Sequence, residues 1–264
     1  MRVLIIGEGK SGTTALLRSV AEAMGDPEEL FEPRLMTAED LDRDPLVVKK
    51  LLLNWRGAKE GPLTKMFDKR VYIVRDPRDR LISHMLYDAY NRGELLSTEQ
   101  REKWLALLGR KAKTPKRVPI FKMMNAWWRI SRGDLMSNYV RALDRSSAFN
   151  KRFGGRFHTI TYEQYVDGDF AALNDYLGLE LSAGVVKGSE NRVARSGSYD
   201  EWRRWFTPSD VAMFRPMTHR WMIRHGYDHR DWKLSEPGQT LDHATTVGYV
   251  EELFSRCPLP KESD

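Results

Sequence analysis

The N-terminal stretch of residues 3–18 constrains the fold more than any other part of the chain. Four apolar residues end at Gly7, a short loop containing Gly9 and Gly12 follows, and apolar side chains then recur at helical spacing. This pattern predicts a buried strand, a tight loop and a helix. Backbone N–H groups of such a loop and the positive end of the helix can bind an anion without any side chain. We therefore expect an α/β fold organised around a phosphate-binding loop.

The lysine of this loop is displaced from the position it has in a nucleoside-triphosphate P-loop. Gly7 and Gly12 have the P-loop spacing, but Thr13 and Thr14 stand where a Lys and then a Ser or Thr would be expected. The loop lysine is Lys10, two residues before the second glycine. Taken alone, the stretch also fits an ordinary strand–helix turn or a degenerate kinase loop.

A second predicted strand–helix junction carries two candidate phosphate ligands. The apolar run 71–74 ends at Arg75, Asp76 can cap a helix, and Pro77 suits the first helical position. Ser83 follows about two turns into that helix. Arginine offers a planar fork to a phosphate and serine offers a hydroxyl donor. The alternative is that the arginines and aspartates of residues 75–79 form salt bridges at a helix start.

Two later segments complete the set of motifs. Residues 157–163 are predicted to form a strand with Tyr162 near its end. Residues 195–207 are basic and aromatic, with Arg195 at their start and Gly197 as a point where backbone can approach a phosphate closely. By itself, the second segment would be an ordinary basic loop.

Taken in order, these motifs resemble those of sulfotransferases that use 3′-phosphoadenosine 5′-phosphosulfate (PAPS). Residues 10–14 are similar to the family's 5′-phosphosulfate loop, residues 74–83 to its 3′-phosphate motif, and residues 195–207 to its late Arg- and Gly-containing segment. Ser196 and Asp200 depart from the lysine and glycine of that segment. The resemblance implies a three-layer α/β/α fold with a central parallel sheet, PAPS as co-substrate, 3′-phosphoadenosine 5′-phosphate (PAP) as product, and no metal.

The resemblance also implies a role for each matching residue. Lys10 would be catalytic, stabilising the leaving 5′-phosphate, Arg75, Ser83 and Arg195 would hold the 3′-phosphate, and Tyr162 would lie near the adenine. The complete predicted set of PAPS-binding residues is Gly9, Lys10, Ser11, Gly12, Thr13, Thr14, Arg75, Ser83, Tyr162, Arg195 and Gly197.

The predicted catalytic base is Glu32. It follows a short apolar strand, and parallel strands point their carboxyl ends at the ligand crevice. Its spacing from Lys10 is similar to that in glycan sulfotransferases such as the heparan-sulfate group, which implies that Glu32 takes the proton of the acceptor hydroxyl. The alternatives are a solvated glutamate here and His84 as the base. Phenol-type sulfotransferases have a histidine where this chain has Leu51 or Leu52.

Two adjacent lysines interrupt the next apolar strand, residues 46–53. Lys49 and Lys50 are costly to bury unless they are paired or face a ligand. The sequence leaves two possibilities, that they line the acceptor site or that they reach the surface.

Composition limits the remaining classes of function. The net charge of +6 suits an anionic ligand and equally nucleic acid. The one cysteine, Cys257, excludes an intrachain disulfide, and the dispersed histidines predict no metal site. No apolar stretch reaches 18 residues, so we expect a soluble, cytoplasmic protein without a transmembrane segment.

The rest of the chain is predicted to complete one domain. We expect this domain to span residues 1–264, with an insertion or lid at 92–118 and a loosely packed C-terminal tail at 228–264. Helices are predicted at 98–108, 120–149, 169–177, 208–225 and 247–254. Thr207 is expected to cap the fourth of these, and at least one of Trp127 and Trp128 to lie in the core.

The sequence therefore predicts transfer of a sulfuryl group from PAPS to a hydroxyl of a glycan, glycolipid or other polyhydroxylated metabolite, with no nucleic-acid partner. One alternative is an ATP-dependent small-molecule kinase. The other is a non-catalytic protein that binds anions or nucleic acid through its basic surface.

Overall fold

The computed structural model describes residues 1–183 and 195–260. Five strands of the chain form one all-parallel sheet. The strands, in the spatial order β2-β3-β1-β4-β5, are β1 (Arg2–Gly7), β2 (Glu28–Phe31), β3 (Leu46–Leu51), β4 (Lys69–Val74) and β5 (His158–Thr161). In register, Val3 of β1 pairs with Val47 on one side and Lys69 on the other.

Helices make up most of the remaining described structure. They are α1 (Thr13–Met24), α2 (Gly57–Glu60), α3 (Pro77–Gly93), α4 (Thr98–Lys113), α5 (Ile120–Ser131), α6 (Leu135–Phe153), α7 (Tyr162–Asp167), α8 (Ala171–Leu177), α9 (Trp202–Trp205), α10 (Pro208–Arg224) and α11 (Val247–Ser255).

Helices pack on both faces of the sheet. One face buries side chains that alternate along the strands, including Val3, Ile5 and Val71, against α1, α7 and α8. On the other face Tyr72 lies 5.1 Å, between ring centroids, from Phe149 of α6. The predicted α/β/α architecture with a parallel central sheet is confirmed.

The strand order fixes where a ligand crevice is expected. From β1 the chain passes to β2 and β3 on one side and later to β4 and β5 on the other. Ligands bind beyond the carboxyl ends of the strands at the point where the order reverses. Here that point is Gly7, which joins β1 to the glycine-rich loop.

The chain forms two compact units. The first comprises Met1–Asp76 and Asp144–Asn191 and contains the whole sheet; the second comprises Pro77–Leu143 and Arg192–Asp264. The expectation of one domain over the whole chain stays a prediction.

The second unit packs its C-terminal segment more closely than the sequence predicted. Helix α11 packs against α3 and α4, and its Val250 and Leu253 are buried. Trp232 and Leu241, upstream of α11, are buried as well. The loose tail was therefore a wrong prediction up to residue 260, because its apolar side chains complete this core. Residues 261–264 of the predicted tail lie outside the described residues.

Helix α4, in the predicted insertion, runs to Lys113 rather than ending at residue 108. It packs against α5 and α11 and buries Trp104. Near its end, Nζ of Lys111 donates hydrogen bonds to the backbone oxygens of Pro115, Val118 and Trp205. Burial lowers the pKa of Lys111 to about 7.

In the structure, two elements have bounds that differ from those predicted from the sequence. The helix predicted at 120–149 is interrupted at Arg132, whose φ of 59° ends α5, so that α5 and α6 are separate helices. Of the tryptophan pair, Trp127 is fully buried and Trp128 is 49% exposed, as expected for one core residue.

The strand predicted to include Tyr162 ends at Thr161. The Thr161 side chain accepts the N–H of Gln164, and the Gln164 side chain in turn accepts the Thr161 N–H. This capping box begins α7 at Tyr162, directly after the edge strand β5. By contrast, the predicted Thr207 cap of α10 is confirmed as a capping box with Asp210.

Within residues 1–183 and 195–260, no helix combines the length and hydrophobicity that a membrane crossing requires. The same residues contain no group of three or more His, Cys, Asp or Glu side chains placed to hold a metal ion.

Candidate active site

The predicted phosphate-binding loop connects β1 to α1 in the first unit. Its turn is closed by Ser11, whose N–H and Oγ both donate to the backbone oxygen of Glu8, at 3.2 and 2.7 Å. Helix α1 begins at Thr13, and the N–H groups of a first helical turn have no partners within the helix. The first N–H groups of α1 therefore face the loop without helical partners, while the Ser11 hydroxyl proton is already used within the turn.

Two glycines of the loop have no room for a side chain. A Cβ on Gly12 would lie 2.6 Å from Cδ2 of Tyr162, and φ of Gly12 is 93°, in the left-handed region. A Cβ on Gly7 would lie 2.7 Å from the backbone oxygen of Ile73. Lys10 also has a left-handed φ of 69°. Such a conformation is uncommon for a residue other than glycine and often marks a functional turn.

The acidic residue of the loop is neutralised by a contact that sequence reasoning missed. Arg145 of α6 donates from Nε and Nη2 to the two carboxylate oxygens of Glu8, at 2.9 and 2.7 Å. Glu8 is buried. This bidentate pair removes a negative charge that would oppose anion binding. Because the partners lie 137 positions apart in the chain, no local sequence signal indicates the pair.

Glu32 and the loop are joined through Lys49. Nζ of Lys49 donates to Oε1 of Glu32 at 2.5 Å and to Oγ1 of Thr14 at 2.7 Å. It also lies 3.9 Å from the centroid of the Phe31 ring. Lys49 is 2% exposed, so of the two possibilities the sequence left, the surface lysine is excluded. The predicted base is thus connected by one side chain to the first turn of α1.

The neighbouring lysine holds the segment that follows Glu32. Successive strand residues point to opposite faces, so Lys50 faces away from Lys49. Lys50 pairs with Glu60 at 2.7 Å, and its Nζ donates to the backbone oxygen of Pro33 at 2.6 Å. Glu60 in turn accepts the N–H of Met36 at 3.0 Å. Lys50 and Glu60 are both fully buried, so this network fixes the chain on the carboxyl side of Glu32.

Arg75 and Tyr162 meet the loop from the other side of β1. Nη1 of Arg75 donates to the backbone oxygen of Lys10 at 3.3 Å, and its guanidinium lies 4.1 Å from the centroid of the Tyr162 ring. Tyr162 is the residue that a Cβ on Gly12 would meet. The N–H of Asp76 donates to Glu163 at 3.0 Å, which ties the end of β4 to the start of α7. In the first unit, Lys10, Gly12, Arg75 and Tyr162 therefore lie together, and their role in binding a nucleotide stays a prediction.

The other predicted ligands belong to the second unit. Ser83 lies buried on α3, and Gly197 has a left-handed φ of 61°. The Arg195 side chain is 3% exposed, forms an ion pair with Glu201 and donates to the backbone oxygen of Thr245 at 3.3 Å. Its Nε–H is buried and has no hydrogen-bond partner within residues 1–183 and 195–260. Sequence reasoning did not anticipate the Glu201 partner.

No protein-family model and no curated protein match this sequence. Solved structures do match it. One is the mouse sulfotransferase SULT7A1 in complex with PAP, which is 17% identical to this chain. The two structures superpose with a TM-score of 0.54, and the match covers 84% of each chain. This similarity establishes that the chain has the α/β fold of that sulfotransferase.

Proposed function

We propose that this chain is a sulfotransferase that moves a sulfuryl group from PAPS to an acceptor hydroxyl. The observation that carries the proposal is the Thr14–Lys49–Glu32 contact, because it joins a candidate base to the first turn of α1, directly after the glycine-rich loop. A fold shared with a sulfotransferase solved with PAP adds support. So does the position of the loop at the reversal point of the sheet.

Taken separately, each unit offers groups suited to one charged end of a PAPS molecule. For the 5′-phosphosulfate, the loop offers the N–H groups of residues 9–14, and Gly7 and Gly12 let the loop pack closely against Ile73 and Tyr162. For the 3′-phosphate, the Nε–H of Arg195 is a buried donor that has no hydrogen-bond partner among the described residues, and Ser83 adds a hydroxyl. Arg75 stacks on Tyr162, which we place beside the adenine.

In the proposed reaction, the bond between sulfur and the 5′-phosphate oxygen breaks as a bond from sulfur to the acceptor oxygen forms. Lys10 balances the charge that collects on the 5′-phosphate, together with the positive end of α1. Oε2 of Glu32 takes the proton of the acceptor hydroxyl while Lys49 holds Oε1. Lys49 also fixes the Thr14 side chain, so that base and loop are positioned by the same group.

We further propose a glycan, glycolipid or other polyhydroxylated metabolite as the acceptor. A glutamate base, with leucines in place of the histidine of phenol-type enzymes, supports this class. A cytoplasmic location and the lack of a nucleic-acid partner stay predictions from the sequence.

Transfer of labelled sulfate from PAPS to a panel of polyhydroxylated acceptors tests the proposal. The wild-type protein should label at least one acceptor, and Glu32→Gln should lose turnover while binding PAP nearly as well. Lys10→Ala should also abolish transfer, yet weaken PAP binding less than Arg75→Ala does. If Glu32→Gln turned over normally, the base would be another residue, and His84 would be substituted next.

A further inference from the structure

Asp79 is a buried carboxylate in the first turn of α3, and it holds the backbone of a distant loop. It is 1% exposed. Its Oδ2 accepts the N–H of Asp200 at 2.6 Å, and its Oδ1 accepts the N–H of Trp202 at 2.9 Å. Both contacts lie within the second unit.

The two N–H groups belong to positions where the backbone needs an external acceptor. Trp202 is the first residue of α9, so its N–H has no partner within that helix. Asp200 has a left-handed φ of 61°, which turns the chain just before the helix. Asp79 therefore fixes the C-terminal end of residues 195–202, named here the 195–202 loop.

Glu201 lies between the two residues that Asp79 holds. Its side chain forms the ion pair with Arg195 at the other end of the loop. A peptide segment anchored at residues 200 and 202 sets the direction of the Glu201 side chain, which in turn sets the direction of the Arg195 guanidinium. The backbone oxygen of Thr245 provides a second anchor for Arg195, at 3.3 Å.

Asp79 also shares a face of α3 with Ser83, since residues four apart lie one above the other on a helix. A carboxylate beside an anion site would repel the anion, but hydrogen bonds to backbone N–H groups offset that charge. The two oxygens of Asp79 each accept such a bond.

We propose that Asp79 is a positioning residue for recognition of the 3′-phosphate. It contacts no nucleotide atom; it anchors the 195–202 loop on the face of α3 that carries Ser83, and so orients Arg195 through Glu201. This inference rests on the proposed function, because it assumes that Arg195 and Ser83 bind the 3′-phosphate of PAPS.

We would measure the affinities of PAP and of adenosine 5′-phosphate (AMP), which lacks the 3′-phosphate, by calorimetry. Comparing the two affinities separates a role in 3′-phosphate recognition from a general loss of structure. Asp79→Asn keeps the shape of the side chain but turns an amide N–H toward a backbone N–H. We expect PAP affinity to fall by about tenfold or more, since hydrogen bonds to charged groups are strong, with AMP affinity unchanged. The preference for PAP over AMP is the decisive quantity.

Asp210→Asn is the matched control. Asp210 is also a buried carboxylate of the second unit that accepts two backbone N–H groups, those of Phe121 and Thr207, at 3.2 and 2.9 Å. It lies outside the 195–202 loop. We expect Asp210→Asn to lower the melting temperature but to leave the ratio of PAP to AMP affinity at the wild-type value.

The inference is overturned if Asp79→Asn keeps the wild-type ratio, or if both affinities fall in parallel. A wild-type protein that binds PAP no better than AMP would instead refute the 3′-phosphate site, and the proposed function with it. If Asp79→Asn does not fold, hydrogen exchange measured on the wild-type protein tests the inference instead. With PAP bound, the amides of Asp200 and Trp202 must be protected; exchange at the rate of an open loop would contradict the proposal.

Discussion

At the residue scale, two adjacent lysines of β3 account for the position of Glu32. Lys49 bonds the carboxylate itself, and Lys50 bonds the backbone that follows it. Neither role could be deduced from the sequence, which shows two charges in an apolar strand but not their partners. Both side chains are buried in the structure, which shows that the two lysines are paired inside the protein and do not reach the surface.

We predict that Lys49→Met lowers turnover more than it lowers PAP affinity. Without its ammonium group, Glu32 and Thr14 lose their common partner, so the base is no longer held against the loop. A fall of about 100-fold in kcat is expected, within the range for loss of a positioned general base. Steady-state kinetics and calorimetry measure the two quantities.

Lys151→Met is the matched control for Lys49→Met, because Lys151 is an exposed lysine of α6. It should leave both quantities unchanged. A Lys49→Met protein that kept wild-type kcat would show that Glu32 does not depend on this contact.

At the element scale, the junction between β1 and α1 is determined by local sequence and was predicted correctly. The apolar run predicts the strand, the glycines predict the tight loop, and the apolar residues at helical spacing predict the helix. These three signals follow one another directly in the chain. The break at Arg132 had a local signal that was overlooked, since Ser131, Gly133 and Asp134 interrupt the apolar pattern there. The Glu8–Arg145 pair was missed because it depends on how α6 packs. Contacts of this kind are set by tertiary structure rather than by spacing.

Gly12→Ala should destabilise the protein and abolish PAP binding. The substitution combines a left-handed φ of 93° with a Cβ 2.6 Å from the Tyr162 ring, so either the loop or Tyr162 must move. We expect the free energy of unfolding to fall by about 2 kcal/mol or more, the sum of backbone strain and overpacking. Denaturant unfolding measures it.

Gly25→Ala and Gly9→Ala are two controls for Gly12→Ala. Gly25 has a left-handed φ of 74°, but a Cβ added there would meet no atom within 4 Å, so its alanine variant should show the backbone term alone, about 1 kcal/mol. Gly9 has neither constraint, and Gly9→Ala should unfold like the wild type. Equal losses for Gly12→Ala and Gly25→Ala would contradict the Tyr162 contact.

At the scale of the whole molecule, the chain carries a net charge of +6 but pairs many of its buried charges internally. The Lys50–Glu60 and Arg195–Glu201 pairs are examples from each unit. The proposed function assigns the 5′-phosphate ligands to the first unit and Ser83 and Arg195 to the second. The sequence contains the motifs of both units. The acidic residues that pair with their basic side chains could be identified only from the structure.

Stability should decrease under mild acid through His225. Burial lowers the pKa of His225 from its usual 6.5, and its ring stacks on Trp221 with centroids 4.0 Å apart. Between the unfolded and folded pKa values the unfolded chain binds the extra proton. The free energy of unfolding should therefore fall as the pH drops below about 6.5, and this loss should be complete below the folded pKa.

Denaturant unfolding of wild type and His225→Gln across pH 7 to 4 checks this prediction. The variant should lose less stability than the wild type over that interval. His219→Gln controls for removal of an exposed imidazole from α10, the helix that His225 directly follows. Identical pH profiles for wild type and His225→Gln would contradict the assignment.

The most direct test of the central claim is calorimetric binding of PAP, with EDTA present, compared with ATP in the presence of Mg²⁺. The proposed site predicts micromolar or tighter PAP binding without a divalent metal, and much weaker binding of ATP. Tighter binding of ATP with Mg²⁺ would contradict the account in favour of a kinase. Binding of neither nucleotide would contradict it in favour of a non-catalytic role for the loop.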